Sequence, residues 1–198
     1  ITDAAVPTLI GTFVTAGQTI DVIVSGTYAY VAELASGLQI INISNAAVPT
    51  LMGAYDTAGS YRGMGVIGSY AYGAGGSTFE VLNVSDVSLP TRTGTYTLSG
   101  FNYDLDVSGS YAYVAGESGL RILSISNPAV PTNMAVFDTP DVSRGVFVSG
   151  NYAYVADEDT GLLIIDISNQ ASPRMVVPST GITQITLPSG AFRAMLWY

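Results

Sequence analysis

The sequence contains no cysteine and no histidine, and these two absences exclude several classes of chemistry. Disulfide frameworks, Cys or His zinc sites, thiol nucleophiles and imidazole bases all require one of the two residues. Lysine is also absent, so six arginines stand against fifteen acidic residues and the net charge is −9. Because such a surface repels a phosphate backbone, we do not expect nucleic acid as a partner.

Charge of either sign is scarce, since charged residues make up 11% of the 198 residues, compared with about 25% in ordinary soluble domains. This length suits one domain with a substantial core or one array of small repeats, and we expect a single domain over residues 1–198. No apolar run approaches the ~18 residues of a membrane helix, so we expect no membrane span. The opening residues lack a signal-peptide pattern, and we interpret the chain as a processed or excised form.

Two unrelated words recur along the chain with one period. The aromatic word "YAYVA" and its variants begin at Tyr28, Tyr70, Tyr111 and Tyr152, in steps of 42, 41 and 41 residues. Proline recurs in steps of 42, 41, 41 and 42 residues, at Pro7, Pro49, Pro90, Pro131 and Pro173. Counting from proline gives repeat units at 7–48, 49–89, 90–130 and 131–172, followed by a degenerate unit at 173–198.

Each unit reads as four short strands without a helix. In "YAYVA" large and small side chains alternate, whereas "GLLIIDIS" (161–168) is apolar on both faces, which predicts a strand covered on both sides. A glycine precedes the aromatic strand in every unit, where a turn with positive φ is expected, at Gly26, Gly68, Gly109, Gly150 and Gly190.

A repeat of about 41 residues with four strands is typical of a β-propeller blade. We therefore predict an all-β propeller of about five four-stranded blades, in which each apolar strand is buried by the blades on either side. The last blade is incomplete, and the ring closes if the N-terminal strand "TLIGTFV" completes it. One strand slot then stays vacant. A three-stranded blade, a longer parent chain, and self-assembly through strand addition by a neighbour remain open.

The words "YAYVA", "GLLIIDIS" and "NPAVPT" resemble the LVIVD repeat family of bacterial and archaeal propeller proteins, which are mostly secreted or displayed on the cell surface. The resemblance extends over nearly the whole chain. It implies a propeller fold and an extracellular or cell-surface location. It implies no activity and supplies no catalytic residues.

Candidate ligand-binding residues lie just before and within one strand of each unit. The repeat places Arg62, Arg144, Asp21 and Asp104 around one mouth of the fold, where they can grip a carboxylate, sugar or peptide. The alternative is that each arginine pairs with an aspartate of the adjacent blade and seals the ring. Three aromatic residues stand outside the repeated positions, where we expect exposed rings that can stack on sugars: Tyr61, Tyr103 and Trp197.

Two weaker motifs have simpler structural interpretations. Asp157 and Asp159 in "ADEDTG" resemble part of a calcium loop, but we favour a solvated hairpin tip because further ligands do not follow. The sequons at Asn42 and Asn83 are interpreted as side chains that cap a turn, since Ser124 and Asp166 take the same position elsewhere. We expect no cofactor.

Two functions follow from these observations. The first is a non-enzymatic extracellular binding or scaffold module that contacts a protein or glycan through one loop-rich face, or packs into a larger surface assembly. The second is a glycan-active enzyme that uses carboxylates, for which Asp104 and Asp106 lie on one face of a strand.

Overall fold

The computed structural model describes residues 6–57 and 60–176, which form antiparallel strands and one short 3-10 turn at Glu158–Thr160. No helix in this part of the chain has the length and apolarity needed to span a membrane. The strands in chain order are β1 (Thr19–Ser25), β2 (Tyr28–Glu33), β3 (Gly37–Asn42), β4 (Thr50–Tyr55), β5 (Gly63–Ile67), β6 (Tyr70–Asn83), β7 (Thr91–Ser108), β8 (Tyr111–Gly116), β9 (Gly119–Ser124), β10 (Thr132–Phe137), β11 (Ser143–Ser149), β12 (Tyr152–Asp157), β13 (Gly161–Asp166) and β14 (Arg174–Met175).

These strands form four consecutive units of the same design. Unit 1 is the sheet β1-β2-β3-β4, and unit 4 is the sheet β11-β12-β13-β14. Units 2 and 3 share β7, whose first part pairs with β6 and whose second part pairs with β8. Unit 2 therefore comprises β5, β6 and residues 91–98, while unit 3 comprises residues 102–108 with β8, β9 and β10.

The hairpin within β6 is marked by a backbone hydrogen bond from Val84 N to Ser69 O at 2.8 Å. The matching bond in unit 1 runs from Ile43 N to Thr27 O, also at 2.8 Å. The long strand β6 thus carries the second and third strands of a unit.

The sheets differ by one strand from the repeat units that begin at proline. The strand that follows each proline is the last strand of one sheet and not the first strand of the next. The strand after each proline pairs with the preceding apolar strand, as in Ile41 opposite Leu51 and Ile165 opposite Met175. A tight turn before the proline joins these two strands, since Asn45 Oδ1 accepts from Ala47 N at 3.1 Å and Asn45 O accepts from Val48 N at 3.0 Å. The crossing to the next unit comes after the post-proline strand.

Consecutive units pack a tyrosine-rich face against a face of Ala, Val and Leu. Tyr72 and Phe79 of unit 2 pack with Val114 and Leu123 of unit 3, and all four side chains are buried. Tyr113 of unit 3 packs in the same way with the buried side chains of unit 4. Large side chains meet small ones because "YAYVA" alternates them across the strand. Each large apolar side chain buried in this way contributes about 1.5–3 kcal/mol.

In units 1 to 3 the apolar third strand is buried on both faces, as the sequence predicts. In β13 of unit 4 one face is buried, whereas Leu162 and Ile164 on the other face are only half-buried. Ile122 belongs to the core between units 3 and 4, whereas its neighbour Leu123 belongs to the core between units 2 and 3. The prediction of positive φ in the turn before the aromatic strand is confirmed at four positions, with φ of 58° or 59° at Gly26, Gly68, Gly109 and Gly150. Gly190, Trp197 and the rest of the degenerate unit from 177 onward lie outside the described residues. The "TLIGTFV" segment forms no strand, contrary to expectation.

Candidate functional site

A cavity of about 290 Å³ is lined by the first strands of units 1, 3 and 4 and by Arg62, which directly precedes the first strand of unit 2. Its wall contains five of the candidate residues, Asp21, Arg62, Tyr103, Asp104 and Arg144. The other lining residues are Ile20, Leu105, Asp106, Gly145, Val146 and Phe147. Matching positions of the repeat therefore meet at one site, as the sequence predicts.

The aspartates of the cavity join neighbouring units through backbone amides. Asp104 Oδ1 accepts from Leu105 N of its own strand at 2.8 Å, and Asp104 Oδ2 accepts from Val146 N of unit 4 at 2.9 Å. Asp21 makes the same bridge between units 1 and 2, accepting from Val22 N at 2.8 Å and from Met64 N at 3.0 Å. These side chains consequently hold adjacent first strands together.

Asp106 repeats this arrangement one step further along β7. Its Oδ1 accepts from Val107 N at 2.8 Å, and its Oδ2 accepts from Val148 N of unit 4 at 2.7 Å. Asp104 and Asp106 therefore both bridge β7 and β11, which confirms that they lie on one face of the strand.

The two arginines of the cavity lie over aromatic rings. The guanidinium carbon of Arg144 is 4.0 Å from the centre of the Tyr103 ring, and that of Arg62 is 4.9 Å from the centre of the Phe101 ring. Each cation–π contact contributes about 0.5–1 kcal/mol when exposed and more when water is excluded. The Phe101 and Tyr103 rings are themselves 5.0 Å apart, so they form a continuous aromatic support.

The two arginines differ in their polar partners. Arg144 forms an ion pair with Glu158 of its own unit, and its Nε donates to Glu158 Oε1 at 2.6 Å. The Nε atom of Arg62 is buried and has no hydrogen-bond partner. The positive charge of Arg62 is thus supported mainly by an aromatic ring, whereas that of Arg144 is partly neutralised.

Tyr61 does not belong to the cavity, and the expectation of an exposed ring at this position is wrong. Its side chain is 1% exposed, and its hydroxyl donates to the buried Glu80 Oε2 at 2.7 Å. Burial, and then the hydrogen bond to Glu80, raise the pKa of Tyr61 far above its usual range. The ring fills the space over Gly73, where a Cβ would lie 2.7 Å from two of its atoms.

The site also contains aromatic and charged side chains that were not among the candidates. Phe101 and Glu158 support the arginines, while Phe147 contributes to the cavity wall. Phe147 was open to prediction, because it stands three residues after Arg144 on a strand already placed at the mouth. Phe101 lies within β7 where the chain crosses from unit 2 to unit 3, and Glu158 lies in the 3-10 turn between β12 and β13; both connections differ in length from one unit to another.

The residues considered for calcium have separate surroundings. Asp157 is 1% exposed, and its oxygens accept from Ser143 Oγ and from Asp141 N, both at 3.1 Å. The interpretation as a solvated tip is therefore wrong for Asp157, although Asp159 is exposed. Within the described ranges 6–57 and 60–176, no three His, Cys, Asp or Glu side chains are grouped closely enough to hold a metal ion.

The sequon asparagines cap turns, as expected. Asn42 Oδ1 accepts from Ser44 N and Asn83 Oδ1 accepts from Ser85 N, both at 2.9 Å. Asp166 makes the equivalent bond to Ser168 N at 2.9 Å.

Four consecutive stretches of the sequence match the model of the LVIVD repeat, at residues 16–57, 58–98, 99–139 and 142–178. The chain belongs to the LVIVD repeat family. Each matched stretch contains one unit of the fold and differs from it by a few residues at the ends. The family repeat therefore begins at the first strand of a unit and not at the proline.

Among solved structures, 202 chains match this LVIVD repeat protein. One of them is the crystal structure of the computationally designed Ika8 protein, with a TM-score of 0.65 and 7% sequence identity. The alignment covers 81% of this chain and 48% of the designed chain, so the LVIVD repeat protein spans about half the length of that structure. At this identity the match shows a likeness of fold alone. None of the curated proteins matches the chain.

Proposed function

We propose that this chain is a β-propeller that acts outside the cell as a non-enzymatic binding module for a carboxylate-bearing glycan or protein. The observation that carries the proposal is the convergence of Arg62 and Arg144, from units 2 and 4, on one cavity with aromatic support. A guanidinium presents several donors in a planar fork that matches a carboxylate.

A radial arrangement is supported by the cavity itself. Face-to-face sheets pack about 10 Å apart, so a straight stack would separate units 1 and 4 by about 30 Å. Asp21 of unit 1 and Arg144 of unit 4 nevertheless line the same cavity of about 290 Å³. A stack that curves around this cavity, as the blades of a propeller do, would bring these residues together.

The contrast between the arginines supports an anionic ligand. Glu158 already accepts from Arg144, whereas the buried Nε of Arg62 has no acceptor. A small rotation of the Arg62 side chain would let an incoming carboxylate satisfy this donor, and an unmet buried donor costs about 1–3 kcal/mol. Tyr103 lines the same cavity as the two arginines. Its ring can pack against the face of a sugar or against a peptide group.

The bonding of the aspartates favours binding over catalysis. A carboxylate pair that cleaves a glycosidic bond needs one group to exchange its proton with the substrate. Both oxygens of Asp104 and both oxygens of Asp106 accept backbone N–H groups, which holds these side chains in a structural role. The alternative, a carboxylate-dependent glycan-active enzyme, predicts release of reducing ends from a bound glycan.

An extracellular location is supported by the family resemblance and by the composition. With 11% charged residues and no cysteine, the surface depends on hydroxyl and amide groups and has no thiol to oxidise. The location is tested by fractionating cells that express the natural protein and probing the surface with a specific antibody.

Binding is tested with an array of acidic and neutral glycans together with peptides that end in a free or an amidated carboxyl group. We expect acidic glycans or free carboxyl termini to bind and their neutral counterparts to fail. The double substitution Arg62→Ala and Arg144→Ala should weaken the retained ligand at least tenfold by calorimetry. Arg121→Ala is the matched control, because Arg121 bonds Asn133 and Ser99 on other strands and does not line the cavity. Equal binding by both variants would contradict the proposal, and product release would favour the enzyme.

A further inference from the structure

Glu158 holds one edge of the Arg144 guanidinium. Its Oε1 atom accepts from Arg144 Nε at 2.6 Å and also pairs with Arg144 Nη2. These two nitrogens form one side of the planar fork, and a carboxylate ligand that binds side-on needs the same two donors. The Glu158 carboxylate therefore stands on Arg144 where a ligand carboxylate would bind.

The turn that carries Glu158 keeps its carboxylate beside Arg144. Glu158 begins the 3-10 turn directly after β12, and its amide donates to Val142 O at 3.1 Å. This bond ties the turn to the segment that precedes Arg144. The side chains of Glu158 and Arg144 are 25% and 36% exposed, so the ion pair is partly shielded from water and contributes more than a fully solvated pair.

The residue at the matching position of unit 2 has no side chain. Glu158 follows the second tyrosine of "YAYVA" by four residues, and Gly76 follows the second tyrosine of "YAYGA" by the same interval. No atom lies within 4 Å of the Cβ position of Gly76. Among the described residues Arg62 forms no ion pair, and its buried Nε has no partner. The Nε donor that Glu158 satisfies on Arg144 thus lacks an acceptor on Arg62.

The acidic residue at the same position of unit 3 has a different role. Glu117 Oε2 accepts from the Phe101 amide at 2.9 Å, and the Glu117 amide donates to Phe101 O at the same distance. The Phe101 ring supports Arg62. Glu117 therefore fixes the aromatic support of Arg62 and does not bind its guanidinium.

Both arginines are within reach of one small ligand. They line the same cavity of about 290 Å³, and the rings of Phe101 and Tyr103 on which they lie are 5.0 Å apart between centres. A second carboxylate on a ligand bound at Arg62 would therefore meet Arg144 at the edge that Glu158 holds.

We propose that Glu158 is a specificity residue of this cavity and makes the site select ligands with a single carboxylate. The inference rests on the carboxylate-binding function proposed above. Arg62 takes the one carboxylate, whereas Glu158 neutralises Arg144 and repels a second anionic group. A ligand with two carboxylates must displace Glu158 to use both arginines, but a ligand with one carboxylate and a neutral polar group binds without this cost.

The test compares dicarboxylates with their monoamides on the full chain by calorimetry. The probes are succinate, adipate and suberate and the monoamide of each, so that the separation of the two groups varies. On the wild-type protein we expect each monoamide to bind at least as tightly as its dicarboxylate.

Glu158→Gln keeps the size of the side chain and removes its charge. We expect the best dicarboxylate to bind this variant about fivefold more tightly than the wild type, the upper end for a partly exposed ion pair. The affinity of its monoamide should change by less than about twofold, because Arg62 is unaltered. Equal gains for the dicarboxylate and the monoamide, or no gain for either, would overturn the inference.

Asp159→Asn is the matched control, because Asp159 is exposed in the same turn and is not part of the ion pair. It removes one negative charge without releasing Arg144, so we expect the preference for the monoamide to persist. If Asp159→Asn favours the dicarboxylate as much as Glu158→Gln does, the effect is one of general charge and the inference is overturned.

Arg62→Ala separates the failure of this inference from the failure of the proposed function. If this variant loses the monoamide while Glu158→Gln leaves the preference unchanged, the binding function stands and the selective role of Glu158 is overturned. If none of the acids binds to the wild type or to Glu158→Gln, the binding function fails and the inference fails with it.

Discussion

The junction between units 2 and 3 and the junction between units 3 and 4 solve one packing problem in two ways. Between units 3 and 4, Asp104 and Asp106 each extend a carboxylate to an amide of the next first strand. Between units 2 and 3, the matching residues are Gly63 and Gly65, and a Cβ at Gly63 would overlap the Leu105 amide nitrogen. One repeat position thus carries either a bridging carboxylate or no side chain at all.

The difference shows two ways in which the first strands of adjacent units are joined. A carboxylate needs room between two backbones, whereas glycine lets the backbones touch directly. Aspartate and glycine alternate along the repeat in the order Asp21, Gly63, Asp104 and Gly145. A single residue therefore decides whether a carboxylate bridges the junction or a glycine lies against the next backbone, although the rest of each unit keeps the same pattern.

Filling the junction at Gly63 should give the largest loss of stability. Gly63→Ala places a methyl group against backbone atoms of unit 3, which cannot move as a side-chain end can, so we expect a loss of about 3 kcal/mol. The measurement is the free energy of unfolding in urea. Gly76→Ala is the control, because no atom lies within 4 Å of its Cβ position and only its φ of 55° opposes the change. A smaller loss for Gly63→Ala than for Gly76→Ala would show that the junction is not tight.

Removing a bridging carboxylate should cost less. Asp104→Ala leaves the Val146 amide without its acceptor, and we expect a loss of about 2 kcal/mol because a bond to a charged group is broken. Asp138→Ala, at an exposed site, should change the free energy of unfolding by less than about 0.5 kcal/mol. Equal urea midpoints for the two variants would remove the distinction between the junctions.

Much of this comparison follows from the sequence, and the remainder depends on contacts that a repeat cannot specify. Equal positions of a repeat come together when the units curve, so the gathering of Arg62, Tyr103 and Arg144 was predictable. The burial of Tyr61 could not be predicted in this way. Adjacent residues of an extended chain point to opposite sides, so Tyr61 points into the core although its neighbour Arg62 lines the cavity. The sequence does contain one indication that the Tyr61 ring is buried. Gly73 lacks the side-chain volume that the matching residues of the other units provide, namely Val31, Val114 and Val155.

Tyr61→Phe tests how the second unit compensates for a glycine where other units carry valine. The substitution keeps the ring over Gly73 and removes the hydroxyl that donates to Glu80 Oε2. We expect a loss of about 1–2 kcal/mol at neutral pH. Because the pKa of Tyr61 is raised in the folded state, the wild-type protein loses stability as the pH rises above about 10, the ordinary value for tyrosine. The variant should lose less over the same range, as measured by urea unfolding at several pH values. Parallel pH curves for the two proteins would contradict this role.

The smallest effect is expected at the turn after the third strand of unit 4. Hydrogen bonds from the Ser168 side chain and backbone, and the charge of Arg174, lower the pKa of Asp166. Its contribution to stability is present above the unfolded pKa of about 4 and is lost as the pH falls through the lowered folded value. Asp166→Asn should therefore be slightly less stable than wild type at pH 6, and the difference in urea midpoint should vanish in strong acid. A difference that persists in acid would assign the effect to the amide rather than to the charge.

Each unit presents its tyrosine face to the following unit and its aliphatic face to the preceding one. All contacts between neighbouring units therefore have the same polarity. Such head-to-tail contacts are heterologous. Units can be added through them until the rotation from one unit to the next adds up to a full turn. Duplicating or deleting one whole unit would present the same two surfaces to the new neighbours. A lineage of these proteins can thus change its number of units by recombination alone, without inventing a new interface.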